Sequence, residues 1–130
     1  MTKIKIYLSF TFLFAFVVAC GTNYGNKLES EELDVYFTQI ENENIAREVA
    51  LYWKENQMLG SKKQYLQLDE KDSLFLLKII PTETFDPQSF SFDERALLKN
   101  LQDSLQFLVA PKRLEIVIAK SNFETLYNIN

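Results

Sequence analysis

"SEELDVYFTQI", Ser30 to Ile40, decides which fold this 130-residue chain is read into. Leu33, Tyr36, Phe37 and Ile40 recur at i, i+3, i+4 and i+7, which is one face of a helix. Ser30 stands where an N-cap would. Glu31, Glu32 and Asp34 follow, where the positive end of a helix dipole favours acids. Glu41-Asn42-Glu43-Asn44 interrupts the pattern. Ile45, Val49, Tyr52 and Trp53, with Ala46 and Ala50 beside them, restart it as far as Leu59. Gly60 is placed to take the left-handed C-cap conformation. Residues 31–59 are therefore expected to be helical, as two helices broken near Asn42–Asn44 or as one helix bent there, and the two-helix form is carried forward.

Downstream the period changes. Gln64-Tyr65-Leu66-Gln67-Leu68 alternates, Asp69-Glu70-Lys71-Asp72 reads as a polar turn, and Ser73–Ile80 is rich in β-formers. Two strands so joined make an antiparallel hairpin, ended by Pro81 because proline cannot donate to a ladder. Ser91-Phe92-Asp93-Glu94 has the form of a capping box. The helix it opens is expected to bury Ala96/Leu97, Leu101, Leu105 and Leu108 before Pro111. Leu114–Ala119 and Phe123–Ile129 form a second hairpin around Lys120-Ser121-Asn122, with Asn122 supplying a positive φ. The predicted class is α+β, in the order α-α-β-β-α-β-β. Its two hairpins pair into a four-stranded, mainly antiparallel sheet with helices packed on it.

Upstream, Lys3 and Lys5 precede an apolar run from Ile6 to Ala19, and the first acid is Glu29. The run is about 14 residues, within a secretory h-region and short of the ~20 that span a bilayer. It ends on Val17-Val18-Ala19-Cys20, and Cys20 is the only cysteine. This segment resembles a bacterial lipoprotein precursor, with Val17 where the lipobox usually has leucine. The resemblance covers the first twenty residues. It implies a diacylglyceryl thioether on Cys20, cleavage before it, acylation of the freed amine, and a place in the cell envelope. Gly21 and Thr22 lack the aspartate associated with inner-membrane retention, which implies the outer membrane. An ordinary secretory signal cut near Ala19 is the rival reading, but it leaves a lone exported thiol open to oxidation. The expected organisation is a signal at 1–19, a lipidated cysteine and flexible tether at 20–29, and one domain at 30–130.

A chain starting at Cys20 has 12 basic and 18 acidic side chains, a net charge of −6, because residues 1–19 hold two lysines and no acid. That balance disfavours nucleic acid and anionic headgroups as partners. Histidine is absent, removing the commonest general base and metal ligand. Gly60 is the only glycine beyond the tether, so no glycine-rich phosphate loop can form. The acid pairs Glu31/Glu32, Asp69/Glu70 and Asp93/Glu94 fall at helix starts or a turn, where acids serve structure. No catalytic, metal or cofactor-binding residue is assigned.

The expected function is a lipid-anchored, non-catalytic module that binds an envelope protein. The alternatives are a small envelope enzyme or small-ligand binder, and an inhibitor or immunity-type protein. In the last strand, Phe123, Thr125, Tyr127 and Ile129 share one face. With no later segment to cover its outer edge, Phe123, Thr125, Leu126 and Tyr127 mark a candidate docking line for a partner strand.

Overall fold

The computed structural model describes residues 24–130. Six strands form one mixed sheet: β1 (Asn26–Glu29), β2 (Leu33–Phe37), β3 (Gln64–Lys71), β4 (Leu74–Ile80), β5 (Arg113–Ala119) and β6 (Thr125–Asn128). Helix α1 (Glu43–Glu55) joins β2 to β3, and α2 (Phe92–Leu105) joins β4 to β5. The spatial order β1-β2-β3-β4-β5-β6 repeats the chain order. Three antiparallel hairpins, β1/β2, β3/β4 and β5/β6, are stitched by two parallel pairings, β2/β3 and β4/β5. A helix spans each parallel step, because parallel neighbours require a crossover.

This corrects the expected four-stranded sheet and the order α-α-β-β-α-β-β. Ser30–Phe37 is a hairpin turn and a strand, not a helix, and Ile40 only opens a single 3-10 turn, Ile40–Asn42. Leu33, Val35 and Phe37 alternate onto the core, while Asp34 and Tyr36 face the other side. The helical reading had borrowed Tyr36 from that opposite face and Ile40, which is 63% exposed. Ser30 still behaves like a cap: its Oγ accepts from the Leu33 N–H at 3.1 Å and donates to the Leu33 carbonyl at 2.7 Å. The same i to i+3 bond closes a turn as readily as it starts a helix.

Helix α1 ends at Glu55, with Gln57 at φ 57°, so Gly60 does not cap it. Asp69 and Glu70 lie within β3, and the turn shrinks to Asp72-Ser73 with Asp72 at φ 58°. In the last hairpin the strand is Thr125–Asn128, shorter than Phe123–Ile129. The positive φ falls on Phe123 at 63°, while Asn122 accepts from the Glu124 N–H with its side chain at 3.0 Å.

The capping box of α2 forms as expected: Ser91 Oγ accepts from the Glu94 N–H, and Glu94 accepts from the Ser91 N–H. Leu101 and Leu105 are buried with Gln102, whereas Leu97 is 68% exposed and Leu98 turns inward in its place. Both helices pack on the same side of the sheet. Ala46, Val49, Trp53, Leu101 and Leu105 meet Val35, Phe37, Leu66, Leu68, Leu77, Leu114 and Ile116 in one core. Trp53 is fully buried yet satisfied, its indole donating to Gln64 Oε1 at 3.0 Å.

Residues 26–29, expected as tether, are instead strand β1, and the fold begins earlier still. Tyr24 crosses the back of the sheet, where its carbonyl accepts from Gln67 Nε2 at 3.0 Å. Its ring meets Tyr36 and Phe123 edge to face, at centroid distances of 5.7 and 5.3 Å. Gly25 sits at φ +95°, and a Cβ there would stand 2.5 Å from the Phe37 carbonyl oxygen. Only glycine permits this entry.

Candidate functional site

The two ends of the sheet are finished differently. Along the first half of β5, beyond the end of β6, stand two glutamines four residues apart, Gln102 in α2 and Gln106 just after it. Gln106 Oε1 accepts from the Leu114 N–H at 3.0 Å and Gln102 Oε1 from the Ile116 N–H at 2.8 Å. Gln102 also exchanges bonds with the Asn130 side chain. Arg95 holds the Ile129 carbonyl through Nε and a terminal nitrogen, at 3.1 and 2.9 Å. Side chains thus take over from strand pairing along β5 beyond β6, which satisfies backbone groups that burial would otherwise orphan.

Strand β6 is nevertheless the last strand of the sheet. The four residues of the expected docking line do not share a face. Thr125 and Leu126 are exposed at the strand, next to the register shift between Ile118 and Ala119. Tyr127 is half-buried on the helix side against Phe85 and Phe90, at 5.8 and 5.4 Å. Phe123 turns to the back and is buried against Tyr24 and Tyr36.

At the other end, β1 pairs with β2 alone. Beside it, a groove of about 640 Å³ runs between the β1–β2 hairpin and α1. Its apolar lining comes from Leu28, Leu33, Ala50, Leu51 and Leu59, and Leu51 is 48% exposed. Glu29, Glu31, Glu32 and Glu48 stand along it with Arg47 and Lys54. The volume falls within the usual range of ligand clefts. Sequence reading missed this groove, since it had placed Lys27–Glu29 in a tether and Ser30–Glu32 in a helix. The alternation Leu33, Val35, Phe37 was the available signal.

Behind β1 and β2 lies a charged, aromatic strip. Lys27 pairs with Glu29 at 2.8 Å and lies over the Tyr36 ring at 5.8 Å. The bond to Glu29 raises the Lys27 pKa and lowers that of Glu29. Burial pushes the Tyr36 phenol up. Asp34 is buried, and Lys63 Nζ stands 3.0 Å from its Oδ1 but off the line of a hydrogen bond, so the contact is ionic.

The acid pairs are dispersed. Glu31 and Glu32 occupy the hairpin turn, and Glu94 serves the capping box. Asp69 and Glu70 point to opposite faces of β3: Asp69 accepts from Thr38 Oγ1 at 2.7 Å and lies 3.7 Å from Lys78. Glu70 accepts from Asn42 Nδ2 at 2.9 Å and from Lys112. Lys112 and Asn42 together hold the Glu70 carboxyl below the usual glutamate value. Among the described residues no group of histidine, cysteine, aspartate and glutamate is placed to hold a metal ion. No helix among them is long and apolar enough to cross a membrane. Cys20, the lipobox and the signal at 1–19 lie outside the described residues. No protein family, curated protein or solved structure matches the chain.

Proposed function

We propose that this protein is a lipid-anchored component of the bacterial cell envelope, favouring the outer membrane, that acts by binding another envelope protein rather than by catalysis. The observation that carries the reading is Val17-Val18-Ala19-Cys20: the single cysteine closes an apolar run too short to span a bilayer. Two or three acyl chains at Cys20 would anchor the chain stably, where one would not. Only Gly21, Thr22 and Asn23 separate that cysteine from Tyr24, so the folded part works close to the headgroups. Thr125 and Leu126, exposed on the sheet's last strand, offer a partner main-chain groups and one apolar side chain.

The test is affinity capture of the tagged full chain from its own envelope, with Cys20→Ser and Leu126→Pro beside it. Wild-type chain should be membrane-bound, lack residues 1–19 and carry acyl mass. Cys20→Ser should remain unprocessed at this site. Leu126→Pro should stay folded, since proline is tolerated at an edge bulge, and should lose most of the recovered partner. A soluble, unmodified wild-type product ends the lipoprotein reading, and unchanged recovery with Leu126→Pro ends the docking line on β6.

A further inference from the structure

We infer that the outer edge of β1 is a homodimer interface, on which a second copy of this chain adds its own β1 antiparallel about a twofold axis through Leu28. Hydrogen-bond parity fixes which residues of β1 face outward. In an antiparallel ladder, alternate residues turn their N–H and C=O toward the partner strand. Ser30 N–H donates to the Leu33 carbonyl, so the pairs Ser30/Leu33, Leu28/Val35 and Asn26/Phe37 face inward. Lys27 and Glu29 therefore turn their main-chain groups outward. Among the described residues no strand or side chain meets them, in contrast to the glutamines that cover β5.

A second β1 can satisfy these groups only by pairing outward residues with outward residues. Three symmetric registers do so. One sets Lys27 against the partner's Lys27, and one sets Glu29 against the partner's Glu29; directly opposed like charges are destabilising. The third sets each Lys27 against the partner's Glu29, engages the outward groups of both residues on both chains, and places the two Leu28 side chains opposite each other. Gly25, at φ +95°, breaks the extended backbone needed to lengthen the lysine-centred register. The charges on this short edge, which discourage indiscriminate strand addition, thus select one self-complementary register.

The flanking groove fits the same occupant. Leu28 lines it from the edge strand and half-exposed Leu51 from α1, so the twofold brings two apolar grooves together across the joined strands. An isologous contact of this kind closes at two copies and does not propagate.

The experiment uses the full chain in detergent, with mass followed by light scattering and sedimentation over a wide concentration range. Wild type should show a concentration-dependent monomer–dimer equilibrium. Lys27→Glu and Glu29→Lys should each be monomeric at concentrations where wild type is dimeric. An equimolar mixture of the two should form a heterodimer, because every opposed pair is then of opposite sign. Circular dichroism establishes that each variant is folded. Glu29→Pro gives an independent route, since it removes an outward N–H that the β1–β2 ladder does not use, and it should also be monomeric. Wild type that stays monomeric throughout overturns the proposal. So does a mixture that fails to associate, or a folded Glu29→Pro chain that dimerises like wild type.

Discussion

Glu70 shows how one carboxylate can be absorbed by structure. It lies near the end of β3 on the helix side, where the Asn42 amide and the Lys112 ammonium converge on it from two different connections. Both favour the charged form, so its folded pKa lies below the ordinary value of 4.5. A depressed carboxylate pKa contributes stability that is fully present above the unfolded value and is lost as pH falls through the folded one. Glu70→Gln should therefore lower stability at neutral pH, and its difference from wild type should shrink as the pH falls below the ordinary value of 4.5 and vanish once it is below the folded one. Urea titrations at a series of pH values measure this. A constant difference across the acid range would mean that Glu70 acts through packing rather than charge. The polar character of Glu70 was plain in the sequence, but its partners Asn42 and Lys112 lie 28 and 42 residues away and leave no local trace.

In α2 and β2, local signals met different fates. The helix announces itself through a hydrogen-bonded device lying wholly within Ser91–Glu94, so its start was legible. Its buried face was legible only in part. Leu101 and Leu105 point to the core, while Leu97 points to water and Leu98 takes its place. Leu105→Ala should cost about 2–5 kcal/mol by opening a cavity in a closed core. Leu97→Ala should change stability by less than about 0.5 kcal/mol, as an exposed substitution. Chemical denaturation of the two variants separates the faces, and equal losses would refute this orientation. Strand β2 was misread because Leu33–Phe37 satisfies a period of 2 and a period of 3.6 at once. A five-residue element is too short for periodicity to choose. Pairing with β1 on one side and β3 on the other chooses, because both ladders require an extended backbone.

The whole molecule joins three hairpins through two helical crossovers, and its back face is partly closed by the entering chain. Tyr24 and Gly25 belong to the fold, so a chain starting at Asn26 should be less stable than one starting at Tyr24. The expected loss is about 1–3 kcal/mol, because buried Gln67 would lose its acceptor and the Tyr36–Phe123 pair would lose its third ring. Thermal and urea unfolding of the two chains measure it, and equal stabilities would show that Tyr24 merely rests on the surface.

The composition, the apolar run ending at Cys20, the α2 cap and the strand character of β3, β4 and β5 could all be read locally, since each rests on residues within a few positions of one another. The β1–β2 hairpin, the parallel pairings and the groove beside β1 could not. Parallel ladders join segments separated by an entire helix, and the short β2 segment is held as a strand by the neighbours that pair with it on both sides.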